Sequence, residues 1–281
     1  GPFWDANETW LVLGVGLLLI AFPEAHGIIL GELYLPVTVL LVGLILRGVA
    51  FDFRAKVPTA SKGIWDRLFF TGSLLAATSQ GYMLGSYVLG FEKNLLAQLF
   101  ALMSAICVAM GYAFIGGAWL IMKTEGSLQL RAVRWTRLAL GFMMLGIIAV
   151  SIVNPLVSTA MFEKWFTMPQ AIMLAPIPAV CFLSALITNY YLSHFRPELK
   201  VGNWLPFAAA VLIFLLCFQG LAYSFYPYIV PNRITLWDGA AAPESLQFMA
   251  VGVAVVFPAI IGYTIVSYRV FWGKATALNY Y

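Results

Sequence analysis

Eight apolar runs, separated by short polar breaks, restrict this chain to a helical bundle in a membrane. About 20 apolar residues cross the hydrocarbon layer of a bilayer. Runs and breaks together predict crossings at roughly 5–22, 27–50, 67–90, 95–122, 136–153, 168–191, 204–224 and 246–271. The breaks hold Pro23, Asp52 to Lys62, Glu92-Lys93-Asn94, Lys123 to Arg137, Asn154-Pro155, Arg196-Pro197, and the stretch from Pro227 to Pro243. Such runs must be helical, because in lipid every backbone N–H and C=O needs an internal partner. Composition removes the soluble alternative: 10% of the 281 residues are charged, whereas soluble domains carry about 25%. The expected fold class is all-α, a polytopic transmembrane bundle, with 1–281 as one integral membrane domain. The chain starts at Gly1 rather than Met, and no signal-peptide pattern precedes the first run. We therefore expect it to begin part-way into a longer protein.

The basic residues orient the runs. Arg54, Lys56, Lys62, Arg67, Lys123, Arg131, Arg134, Arg137, Arg196, Lys200, Arg269 and Lys274 fall in one set of connections; Lys93, Lys164 and Arg233 fall in the other, and Arg47 lies inside a run. Cytoplasmic loops carry the Lys/Arg excess. Segments 51–66, 123–135, 192–203 and the C-terminus are thus expected on the cytoplasmic side of a cell inner membrane. The longest outer connection, about 225–245, is where an external partner would dock. No run of Arg or Lys offers a track for a phosphate backbone, so nucleic acid is not an expected partner despite the net charge of +4.

Ligand chemistry is sparse. Cys107, Cys181 and Cys217 each lie inside an apolar run, outside any CxxC or Cys/His cluster, and read as small buried hydrophobes. The two histidines, His26 and His194, fall at opposite membrane faces in this topology, so the chain does not supply paired imidazoles for a bis-His haem. Glu24, His26 and Glu32 flank the first turn, but one imidazole and two carboxylates lack the HExxH spacing and are too few alone for a metal. No haem ligand and no metal ligand is assigned. A Walker A motif and a Ser/His dyad within one bundle are also absent from the sequence. Two GxxxG patterns, Gly27 to Gly31 and Gly81 to Gly85, suit close helix packing or arise by chance among 24 glycines.

Charges near apolar runs are the informative residues, since each costs about 2.5–3.5 kcal/mol at the bilayer centre. Asp5 and Glu8 are three apart at the start of the first run, hence on one helical face. They are either an N-terminal cap with acids favoured by the helix dipole, or a proton entry point at the cytoplasmic boundary. Spacing alone favours the cap. Arg47, Asp52 and Arg54 close the second run. Either they snorkel, with Asp52 pairing an arginine, or an arginine meets a bound anionic group or a docked partner.

The run Gly1-Pro2-Phe3-Trp4-Asp5-Ala6-Asn7-Glu8-Thr9-Trp10-Leu11-Val12 resembles a signature of subunit II of cytochrome bd-type quinol oxidases. Leu46-Arg47-Gly48-Val49-Ala50-Phe51-Asp52-Phe53-Arg54-Ala55-Lys56 and Leu236-Trp237-Asp238-Gly239 resemble it too. Gln80-Gly81-Tyr82-Met83-Leu84-Gly85 and Leu120-Ile121-Met122-Lys123-Thr124-Glu125-Gly126 look like the cyanide-insensitive branch of that family. The resemblance implies nine spans, as two four-helix bundles plus a peripheral helix, with the family's first helix absent here. It implies quinol oxidation coupled to reduction of oxygen to water, with haem b and haem d held by a partner subunit I and none ligated by this chain. It implies a proton path at Asp5 and Asn7, to which Glu8 is added on position alone, and an oxygen-path entrance at Trp10. Arg47, Asp52, Arg54, Trp237 and Asp238 become structural or partner-contact residues. A small accessory subunit, and a lipid or quinone bound in this subunit, are further partners such a complex accommodates. A secondary transporter and a purely structural membrane anchor are the competing readings. Transporters favour broken helices with midplane charges, whereas the charges here gather near span ends.

Overall fold

The computed structural model describes residues 2–157, 159–197, 202–270 and 273–274, with side chains from residue 8 onward except at 157–160. In chain order the elements are α1 (Pro2–Ala21), α2 (Pro23–Lys56), α3 (Lys62–Val88), α4 (Leu95–Lys123), α5 (Gly126–Val157), the short α6 (Thr159–Phe166) and α7 (Gln170–Leu174), α8 (Pro176–Ser193), α9 (Leu205–Phe225), a hairpin of β1 (Tyr228–Val230) and β2 (Ile234–Thr235), and α10 (Pro243–Val270). They cluster into two compact units, Gly1–Glu32 with Tyr226–Tyr281, and Leu33–Phe225.

The larger unit is built on a bundle of α4, α5, α8 and α9. Its centre holds Phe114 of α4, Leu140 and Met143 of α5, Cys181 and Ala185 of α8, and Ile213 of α9, all buried. Small residues let the neighbouring helices close in. A Cβ added to Gly81 would lie 2.6 Å from Ala105 Cα, and one on Gly85 2.7 Å from Ala101 Cα, so α3 rests directly on the α4 backbone. Likewise a Cβ at Gly72 of α3 would meet Gly43 O of α2 at 2.6 Å. The α4–α5 turn is tied by Gln129, whose buried amide donates to Ile121 O at 2.8 Å, and by Gly126 at φ +68. That positive φ suits glycine, which lacks the Cβ that penalises it. In the smaller unit α1 packs along α10, and Ala241 N–H donates to Ala21 O at 2.8 Å.

Six of the eight expected crossings are supported by length and apolarity. Among the described residues, six helical stretches are long and apolar enough to cross a membrane: Pro23–Lys56, Leu95–Lys123, Gly126–Leu156, Gln170–Ser193, Leu205–Phe225 and Pro243–Val270. The apolar part of α1 with described side chains, Glu8–Ala21, is shorter than these. The predicted run at 67–90 is helical as α3, but Thr71, Ser73, Thr78, Ser79 and Gln80 dilute its apolarity. Two of those hydroxyls bond back to their own helix, Ser73 to Phe69 O and Thr78 to Leu74 O, both at 2.8 Å. The described residues form one four-helix bundle; a second is not assembled within either unit. Boundaries also move. α2 and α5 extend beyond the predicted spans, α5 continues through Asn154-Pro155, and α6 occupies part of the predicted outer break. The connection between α9 and α10 contains a two-stranded antiparallel ladder, a small exception to an all-α fold.

Candidate functional site

The start of α1 carries the predicted proton path. The side chains of Asp5 and Asn7 lie outside the described residues. Glu8 is half-buried, and so is Trp10. The Trp10 indole meets Phe257 of α10 edge to face, with centroids 5.4 Å apart and planes at 86°. That geometry puts the positive ring edge against the partner's negative face. Trp10 therefore belongs to the α1–α10 seam.

The second cluster closes at the corner between α2 and α3. Arg47 is half-buried, and its backbone N would be 2.8 Å from a Cβ on Gly72, so the helices cross at its level. Asp52 is exposed and does not pair with Arg54, so that form of the arginine pairing considered for this cluster is not the one adopted. Residues two apart on a helix point to different faces. Arg54 instead forks onto Asp66 of α3, Nε to Oδ1 and Nη2 to Oδ2, the latter at 3.4 Å. Beside that fork Phe53 stacks on Trp65, centroids 5.1 Å apart and planes 19° from parallel. Asp66 and Trp65 were not singled out by sequence. The signal was there, since both sit one helical turn into α3, but it emerges only once the two helices are known to cross.

Trp237 and Asp238 lie in the connection between β2 and α10. Asp238 closes a local turn: its carboxylate accepts from Thr235 Oγ1 at 2.5 Å, and its N–H donates to the same oxygen at 3.2 Å. Trp237 is 69% exposed and meets Tyr226 edge-on at 6.2 Å. The hairpin reverses at Asn232, φ 57, a conformation asparagine tolerates. Arg233 at its tip reaches Glu32 of α2 at 3.7 Å, which engages one of the carboxylates near the first turn.

A haem or metal does not fit the donors described. No group of three metal-ligating side chains converges among the described residues. His194 is turned onto its own helix end, Nδ1 3.0 Å from Tyr190 O and ring 4.4 Å from the Tyr190 ring. An axial ligand instead projects into a bundle. At the α6–α9 contact Trp165 Nε1 donates to Ser224 Oγ at 2.8 Å and Lys164 Nζ to Ser224 O at 3.4 Å. Partial burial there pushes the Lys164 ammonium down from its usual range. Nothing described forms a self-contained catalytic centre.

Residues 1–271 match the family described as cytochrome bd terminal oxidase subunit II. Cytochrome bd ubiquinol oxidase subunit 2 of Bacillus subtilis is 27% identical over 291 residues, covering 96% of this chain and 82% of that protein. A probable cytochrome oxidase subunit 2 of Haemophilus influenzae is 24% identical, covering 98% and 83%. Cytochrome bd-I ubiquinol oxidase subunit 2 of Escherichia coli K12 is 24% identical with the same coverage.

Proposed function

This chain belongs to the cytochrome bd terminal oxidase subunit II family, and from that premise we propose that it is the haem-free subunit of a quinol-oxidising terminal oxidase. It pairs with a subunit I that carries haem b and haem d, and the complex passes electrons from quinol to oxygen, forming water. The observation that carries this reading is the family match along 1–271 of a chain with only two histidines. Such a chain lacks the imidazoles to hold the haems itself, so the redox groups belong to its partner.

Two contributions are assigned to this subunit. Asp5, with Asn7 and Glu8 beside it, receives protons at the cytoplasmic end of α1. Taking protons from inside while quinol protons leave outside separates charge. Trp10 lies at the entrance of an apolar route for oxygen, which dissolves in lipid and needs no polar guide. The packing of Trp10 against Phe257 supports this, since the two rings meet edge to face in an apolar contact. All eight apolar stretches cross a cell inner membrane as one domain, α3 included, whose Ser73 and Thr78 hydroxyls bond back to their own helix and so cost less in lipid. The C-terminus is cytoplasmic by the Lys/Arg bias.

The test is affinity purification of the full-length chain from its native membrane, followed by visible absorption spectroscopy. A larger haem-bearing subunit with b-type and d-type absorption is expected. Recovery of the chain without any haem protein overturns the reading.

A further inference from the structure

Along the outward face of α5, Arg134, Arg137, Leu138, Gly141, Phe142 and Leu145 line an open groove of ≈ 590 Å³, faced by Asn189 of α8. These positions recur at helical spacing on one stripe. The opposite stripe, Thr136, Ala139, Leu140 and Met143, is buried in the bundle. The groove's walls are apolar and uncovered: Leu138 is 59%, Phe142 43% and Leu145 54% exposed. Gly141 forms its floor, where an added Cβ would meet nothing within 4 Å. One end is cationic. Arg137 Nε donates to Asn189 Oδ1 at 3.0 Å, which orients the guanidinium while leaving its terminal nitrogens outside that bond. Neither Arg134 nor Arg137 forms an ion pair among the described residues.

Depth follows from helix geometry. From Leu138 to Val157 the helix rises about 30 Å at about 1.5 Å per residue, the thickness of the hydrocarbon layer. Arg134 and Arg137 therefore stand at headgroup level, and the apolar trough from Leu138 to Leu145 runs about 10 Å into one leaflet. We propose that this groove binds an anionic phospholipid, its phosphate on Arg134 and Arg137 and one acyl chain along Leu138, Gly141, Phe142 and Leu145. Charge decides the headgroup: a choline or ethanolamine would bring a third cation to two arginines, whereas a net anionic headgroup neutralises them. The apolar floor decides for a lipid over free phosphate, which has nothing to place there. The site does not depend on the oxidase chemistry.

The experiment uses the purified full-length complex in nanodiscs and phosphatidylglycerol carrying a diazirine midway along one acyl chain. After irradiation, crosslinked peptides are mapped by mass spectrometry, with the matching phosphatidylcholine probe in parallel. Phosphatidylglycerol should label residues 138–145 roughly thirtyfold more strongly, the scale expected of two arginines near a membrane surface. R134Q/R137Q should bring its labelling down to the phosphatidylcholine level. G141F should reduce labelling with both arginines intact, by filling the trough. Both substitutions lie on an exposed face, and an unchanged unfolding temperature confirms that the bundle persists. Equal labelling by the two probes, or labelling unaffected by R134Q/R137Q, overturns the proposal. Loss of phosphatidylglycerol labelling on adding millimolar inorganic phosphate assigns the arginines to a free anion and also overturns it.

Discussion

Replacing Gly81 with alanine tests how α3 and α4 are held together. A Cβ there would sit 2.6 Å from Ala105 Cα and 2.6 Å from Ser104 O, and at Gly85 2.7 Å from Ala101 Cα. Backbone atoms cannot rotate away as a side-chain tip would. Carbon contacts settle at about 3.5–4.0 Å, so each methyl must push the helices apart by about 1 Å. A gap of that size forfeits roughly a quarter to a half of the contact energy around it. Overpacking of this kind costs about 1–3 kcal/mol. Alanine returns roughly 0.5–1 kcal/mol through its better helix propensity, leaving a net loss of about 1–2 kcal/mol per site. Lipid tails are as apolar as the side chains, so no hydrophobic drive between helices compensates. Gly27 and Gly31 carry the same sequence pattern, but an added Cβ meets nothing within 4 Å at either. There only the favourable helix term remains. The assay is thermal unfolding of the purified complex, followed with a thiol-reactive dye that reports exposure of the buried Cys107 and Cys181. Gly81→Ala and Gly85→Ala should each lower the midpoint by roughly 2–8 °C, while Gly27→Ala and Gly31→Ala should hold or raise it. Equal shifts at the two patterns would refute the reasoning.

Adjacent glycines on α4 should also part company: Gly117→Ala drives a methyl into Thr136, fully buried and bonded to Ala132 O at 2.7 Å, whereas Gly116→Ala enters open space. The same unfolding assay should show a lower midpoint for the first alone. Trp165→Phe removes the 2.8 Å bond to Ser224 Oγ and should cost about 1 kcal/mol, visible as a lower midpoint with oxidase turnover retained. Asp5→Asn should slow quinol-driven oxygen uptake and charge separation in proteoliposomes; unchanged values of both would remove it from the proton path. Trp10→Ala should raise the apparent KM for oxygen, and an unaltered KM would leave Trp10 a packing residue against Phe257.

Much of the architecture was legible because lipid permits so few solutions. The apolar runs located the helices, though not their ends. Asn154-Pro155 looked like a break, yet α5 continues through it to Val157. A mid-helix proline loses one backbone bond, and a helix tolerates that where neighbours or solvent re-satisfy the freed carbonyl. The hairpin was illegible because β1 and β2 are three and two residues long, too short for an alternating pattern to register. Arg54 was singled out, and Asp52 pairing an arginine was one of the two readings its cluster allowed. The actual partner of Arg54, Asp66, is twelve residues away on another helix. Asp5 and Asn7 rest on sequence and family likeness alone.

By itself the sequence determined that this chain is helical, lies in a membrane and belongs with subunit II of the bd oxidases. Backbone satisfaction in lipid and a specific set of motifs suffice for those conclusions. The tertiary structure decided which of two identical glycine patterns packs, which carboxylate meets Arg54, and where two arginines cap an apolar groove. In a soluble helix, the polar face marks what lies outside. Here faces toward lipid and faces toward protein are alike apolar, so the pattern carries no such contrast, and only the positions of neighbouring helices separate them.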